Sequence, residues 1–171
     1  MTLMLTQINE EAARYHDIVQ ENFVDSYKNL SIKSVAMAKW VSKFCPNATF
    51  LIKSDTDVSI RPHVLVRAMQ RQYNVHRDFM IGIRRKYKPR RNPLSKWYVP
   101  SDTYQEVNYP EFVLGPTYGY TVNAAASIYN ASMHLPLFSL EDVFVTGMCR
   151  RLVGIPLVDD DEFTFTHSNK L

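Results

Sequence analysis

No apolar run in this 171-residue chain approaches the ~20 residues that a membrane-spanning helix needs. The start at Met1 likewise lacks the charged stretch and apolar core of a secretory signal, so the chain as given is expected to carry neither. Cysteine is scarce. Only Cys45 and Cys149 occur, without the CxxC or Cys/His spacing of a structural zinc site. Two buried thiols or one long-range disulfide are both compatible with the sequence, because spatial separation decides between them. The histidines, at positions 16, 63, 76, 134 and 167, show no metal-ligand spacing either. There is no internal repeat and no low-complexity stretch.

What is present suits one globular domain spanning 1–171: 46% hydrophobic residues and an ordinary 22% of charged ones. The formal net charge of +3 favours an anionic ligand such as a nucleotide but falls short of a nucleic-acid footprint. Three glycosylation sequons begin at Asn29, Asn47 and Asn130, and in a secreted chain they would mark exposed positions and favour the disulfide.

The pattern of elements is that of an α/β protein. His16 to Gln20 reads as a short strand. Asn29 or Ser31 then caps a helix to about Phe44, with Met37, Trp40, Val41 and Phe44 as its apolar stripe. Pro46 stops it, and Thr49 to Lys53 forms a β-prone run that Asp55-Thr56-Asp57 interrupts before Val58 to Ile60. Pro62 opens a helix through Gln72 that buries Val64, Leu65, Ala68 and Met69. Phe79 to Ile83 is the next strand. Arg84 to Lys96 is a long basic loop, since Pro89 and Pro93 break any regular element. Tyr118 to Val122 follows as a strand, Asn123 to His134 as a helix capped by Asn123, Ser139 to Leu152 as a helix closed by Gly154, and Ile155 to Val158 as a last strand. Alternating strands and helices predict a largely parallel sheet between helices.

Two positions have the form of catalytic chemistry. Asp55 and Asp57 place carboxylates at i and i+2 beyond a buried strand, where open α/β sheets bind ligands. Hard cations such as Mn²⁺ or Mg²⁺ take oxygen ligands of this kind together with a substrate's phosphates. A plain polar turn has the same sequence form. Glu141-Asp142 opens a helix after Leu135-Pro136-Leu137-Phe138, which would aim a carboxylate outward as a general base, or simply cap the helix with Ser139. The basic run, with Trp97, Tyr98 and Tyr104 close by, suits a pyrophosphate, a sugar ring or a nucleic acid. A solvated loop would look the same.

Taken in order, the motifs resemble the beta-1,3-galactosyltransferase and beta-1,3-N-acetylglucosaminyltransferase family. The match runs from Tyr15-His16-Asp17-Ile18-Val19-Gln20 through Phe44-Cys45-Pro46 and Lys53-Ser54-Asp55-Thr56-Asp57-Val58. It continues in Lys96-Trp97-Tyr98-Val99-Pro100, Tyr109-Pro110, Gly115 with Tyr118, and Glu141-Asp142-Val143 with Gly147 and Cys149. The resemblance implies a GT-A fold and an inverting transfer of galactose or N-acetylglucosamine from a UDP-sugar to a glycan 3-hydroxyl. It implies that Asp55 and Asp57 contact donor and Mn²⁺, with Asp57 the direct ligand, and that Asp142 is the base. Lys53, Trp97 and Glu141 join Asp55 and Asp57 as substrate-binding candidates. Family members are membrane-anchored in the Golgi; here the anchor, the first nucleotide-binding strand and the C-terminal segment would lie outside this chain. Val113-Leu114-Gly115 replaces the usual Cys-x-Gly, which removes one family disulfide, and Thr56 stands where an aspartate is common. The readings from other classes are a non-catalytic fragment that binds glycan or partner transferases, and a nucleic-acid binder using Arg84 to Lys96.

Overall fold

The computed structural model describes residues 3–167, so the expectation of one domain over 1–171 extends past it at both ends. Helix α1 (Leu3–Tyr15) ends with His16 in the left-handed region at φ 57°. The chain continues through a 3-10 turn, Tyr27–Asn29, into α2 (Leu30–Phe44), β1 (Phe50–Ser54), β2 (Val58–Ser59), α3 (Pro62–Tyr73) and β3 (Met80–Arg85). After the long loop come β4 (Phe112–Thr121), α4 (Val122–Ser132), a π-helical segment (Val143–Cys149) that α5 (Arg150–Val153) continues, β5 (Leu157–Asp159) and β6 (Thr166–His167).

The main sheet has the order β1-β4-β3-β5. Strand β4 is antiparallel to both neighbours and β5 is parallel to β3, so β1, β3 and β5 point one way with β4 reversed between them. This mixed α/β sheet between helices is consistent with the expected GT-A-like class. Strand β3 shows why it needs cover on both faces. Met80 packs with α2, α4 and the π-helical segment, whereas Ile81 and Ile83 pack with Leu65, Ala68 and Met69 of α3 and with Phe163.

Several expectations change. His16 to Gln20 forms no strand; the regular element there is α1, just upstream. The buried stripe of α2 is Ser31, Ser34, Ala38 and Val41, while Phe44 is 67% exposed. Small side chains let α2 approach Ala124, Ala125, Ile128 and Ala131 of α4, while Met37 and Trp40 of the expected stripe pack partly buried against the same core and Phe44 lies outside it. Helix α4 is capped by Thr121, whose hydroxyl accepts from the Ala124 N–H at 3.3 Å, rather than by Asn123. The expected helix from Ser139 begins at Glu141 and runs through π-helical turns before Gly154, at φ 69°, closes it. Cys45 and Cys149 are both free thiols, and burial pushes the Cys149 thiol up to about 12.

The basic loop is tied down from within. Arg91 donates to the carbonyls of Val99 and Pro100 at 2.8 and 2.9 Å and to that of Tyr104 at 2.6 Å. Tyr104, Tyr109 and Phe138 then form one aromatic cluster, with ring centroids 5.2 to 5.9 Å apart.

Candidate active site

A bulge in β4 builds the site. Gly82 of β3 pairs with Tyr118 and Arg84 with Val113, so two steps along β3 span five along β4. The extra residues of β4 leave the ladder towards the start of the π-helical segment. A Cβ on Gly115 would lie 3.4 Å from the Asp142 Cβ and 3.5 Å from a Glu141 carboxylate oxygen. Glycine there lets the bulge and the Glu141-Asp142 turn lie against each other. On the other side, the Asp55 N–H donates to the Pro116 carbonyl at 2.9 Å, which fixes the turn after β1 to the same bulge.

Lys53 connects these parts. Its ammonium donates to the Asp55 carboxylate and, at 2.6 Å, to the Gly115 carbonyl; it lies 4.0 Å from the Glu141 carboxylate and over the Tyr118 ring. Glu141 is 7% exposed and accepts a 2.6 Å bond from the Tyr118 hydroxyl, with the Ser34 hydroxyl also on it. Burial pushes the Glu141 carboxyl up, and Lys53 and the two hydroxyls hold it back. Asp142 is pushed up by burial too, against the N–H groups of Val143, at 2.8 Å, and Gly115 and the charge of Lys53. Thr146 locks the turn, donating to the Asp142 carbonyl at 2.6 Å while accepting from the Val113 N–H at 3.0 Å.

Lys53, Asp55, Glu141 and Asp142, predicted separately, thus come together around Gly115. Asp57 is exposed in the turn between β1 and β2. Among the described residues no hydrogen bond, ion pair or ring contact joins the half-exposed Trp97 side chain to this cluster; Lys96 beside it lies over the Tyr27 ring. Tyr118, Ser34 and Thr146 escaped the sequence reading as site residues. Only Tyr118 carried a signal, because a tyrosine inside an apolar strand needs a partner for its hydroxyl.

The donor set fits a hard divalent cation. Asp55 is 43% exposed at its side chain and Asp57 is exposed, and among the described residues no group of three or more His, Cys, Asp or Glu could hold a metal ion. Carboxylate oxygens that keep solvent access suit Mg²⁺-like ions when phosphates and water complete the shell, and Asp55 keeps such access while it also accepts from Lys53.

The sequons separate. The Asn29 side-chain N–H₂ donates to the Val24 carbonyl at 2.7 Å, and Ser31 is buried, its hydroxyl donating to the Phe138 carbonyl. Asn47 and Asn130 are exposed. Peptide mapping after secretion from a glycosylating host should find glycan at Asn47 and Asn130 and little at Asn29; high occupancy at Asn29 would contradict this ranking.

Carboxylates gathered at the edge of a mixed sheet where three strands end define an α/β protein with a polar ligand site. The family model described as Galactosyltransferase matches residues 3–161, and the chain belongs to that family. It is 36% identical to mouse beta-1,3-galactosyltransferase 1 over 149 residues, which is 86% of this chain and 45% of that protein. Against mouse beta-1,3-galactosyltransferase 2 it is 34% identical over 163 residues, 94% of this chain and 38% of the relative. With beta-1,3-galactosyltransferase 5 of Pan paniscus it shares 35% over 151 residues, 88% of this chain and 50% of the other. The chain therefore spans half or less of the length of these relatives. No helix among the described residues is long and apolar enough to cross a membrane.

Proposed function

We propose that the protein this chain represents transfers galactose or N-acetylglucosamine from a UDP-sugar to the 3-hydroxyl of an acceptor glycan, with inversion. The observation that carries this reading is the convergence of Asp55, Lys53, Glu141 and Asp142 on Gly115. Its relatives are named beta-1,3-galactosyltransferases, which supports the direction of transfer and the 3-hydroxyl. The family's Golgi lumen is the compartment we assign.

Each residue then has a task. Asp142, held by the Val143 and Gly115 N–H groups, takes the proton from the acceptor hydroxyl as that oxygen attacks the anomeric carbon and the bond to UDP breaks. Its carboxyl, raised by burial, is a stronger base than a solvated aspartate. Glu141 cannot share this role, because its carboxylate faces inward onto Tyr118. Lys53 sets the Asp55 carboxylate and brings positive charge to the donor side. Asp57 and Asp55 would hold Mn²⁺ or Mg²⁺, which when bound supplies positive charge to the departing diphosphate.

Calorimetric titration of UDP tests the donor half. Mn²⁺-dependent binding is expected, weakened about a hundredfold by Asp57→Ala. UDP affinity that ignores both Mn²⁺ and the substitution removes the metal from the proposal.

A further inference from the structure

Thr146 puts a hydroxyl into an otherwise apolar wall. Its neighbours in the π-helical segment include Val143, Phe144, Val145 and Cys149, and it is fully buried with them. A hydroxyl in such a place costs free energy unless it is paired, so its partners show what it holds together. It donates to the Asp142 carbonyl at 2.6 Å and accepts from the Val113 N–H at 3.0 Å, and the Val113 carbonyl lies 3.4 Å from the same oxygen. The buried hydroxyls of Ser34 and Tyr118, by contrast, both end on the inward Glu141. Thr146 reaches Asp142 itself.

Val113 stands at the foot of the β4 bulge, paired with Arg84, and the ladder to β3 resumes at Tyr118. Strand β1 pairs with β4 over Thr117 to Thr121. Leu114, Gly115 and Pro116 therefore belong to neither ladder, so strand pairing does not set where Gly115 stands. Yet Gly115 is what faces the Asp142 side chain: its N–H bonds to that carboxylate, and a Cβ on it would lie 3.6 Å from one of the carboxylate oxygens. The Thr146 hydroxyl supplies the missing constraint. It ties the Asp142 main chain to β4 two residues before Gly115, while the Asp142 side chain is tied at Gly115, so one aspartate is held to the strand at two points. The winding of the segment makes this approach possible. The Arg150 N–H reaches the Val145 carbonyl five residues back, and a Cβ on Gly147 would lie 3.1 Å from the Pro110 Cγ and 3.3 Å from the Phe112 Cβ, so the segment presses on the first residue of β4. Turns of this kind collect at functional sites.

We propose that Thr146 is a positioning residue of the transfer reaction: its hydroxyl, bridging the Asp142 carbonyl and the Val113 N–H, holds the Asp142 carboxylate against Gly115 in the place from which it takes the acceptor's proton. The inference rests on the reading of Asp142 as the base and adds the residue that aims it. Proton transfer needs the base within hydrogen-bond reach of the hydroxyl, and a displacement of about 1 Å costs on the order of a hundredfold in rate. Without the bridge the turn keeps its own cap from the Val143 N–H, because that bond lies within the helix, but its placement on the bulge is lost.

The test is a double-mutant cycle on the protein this chain represents, with transfer expressed per folded molecule. Thr146→Val keeps the side-chain volume and removes the hydroxyl. It should lower kcat by about tenfold to a hundredfold while the acceptor KM and Mn²⁺-dependent UDP affinity stay within about twofold. Thr146→Ser, which restores the hydroxyl, should recover most of the lost rate. Added to Asp142→Asn, the valine should cost less than about twofold of the residual rate, since no base is left to misplace. A hydroxyl that served folding alone would give the same loss in both backgrounds, and that result overturns the proposal, as does an unchanged kcat for Thr146→Val. If the valine variant does not fold, Thr146→Cys takes its place in the cycle, because a thiol of similar size bonds only weakly. Wild-type transfer by Asp142→Asn would bring down the base reading and this inference with it. Loss of transfer by Asp142→Asn with none by Thr146→Val brings down this inference alone.

Discussion

Asp142→Asn is expected to lower sugar transfer by about 10² to 10⁴ while leaving UDP binding and folding intact. The asparagine oxygen can still accept the Val143 N–H that the carboxylate accepts at 2.8 Å, so the turn keeps its cap. What disappears is the ability to take a proton. Wild-type kcat/KM should therefore fall on its acid side with a midpoint above the usual aspartate value of about 3.9, because burial raises the Asp142 carboxyl and the base must be ionised to act. The variant should lose that limb. Transfer by Asp142→Asn at the wild-type rate, measured with saturating donor and acceptor, would remove this residue from the chemistry.

The second large effect concerns stability. Lys53→Met should destabilise the fold by about 2 to 4 kcal/mol at neutral pH, since it leaves the buried Glu141 carboxyl without the nearby cation. Its contact with Asp55 contributes little to this figure, because that carboxylate is substantially exposed. The pH dependence has a definite sign. Glu141 is already raised in the folded state, and losing Lys53 raises it further. Stability is then retained below the unfolded value of about 4.3, where the group is protonated in both states. It is lost as pH climbs through the raised folded value. Urea midpoints of variant and wild type should converge on acidification and separate towards neutrality; a constant gap across pH would mean that Lys53 acts by packing alone.

Much of this site was legible because local sequence carries it. An apolar strand that stops at Asp55-Thr56-Asp57 and a helix that opens on Glu141-Asp142 are short-range patterns, and both occupy the places those patterns predict. Lys53 also lay where a strand position would bring it near the first of them. The network beneath them was not legible, because Ser34 and Tyr118 reach Glu141 only through the packing of α2 and β4, far apart in the chain. Strand order was hidden for the same reason: alternation of strands and helices predicts a sheet, but nothing local says that β4 inserts reversed between β1 and β3. On α2 the apolarity of Phe44 misled, while Ser31 and Ser34, which no apolar pattern would select, are buried by close helix packing.

Among the described residues strand β1 finds its sheet partner in β4 alone, with Lys53 opposite Tyr118. Lys53 precedes Asp55, but Gly115 and Pro116, which hold the Lys53 ammonium and the Asp55 N–H, are made on the ribosome well after both, and the loop between must close before they meet. Assembly of the carboxylate cluster is then a late event of biosynthesis, and a nascent chain arrested within the basic loop would hold Lys53 beside Asp55 but lack the bulge and the Glu141-Asp142 turn that complete the cluster.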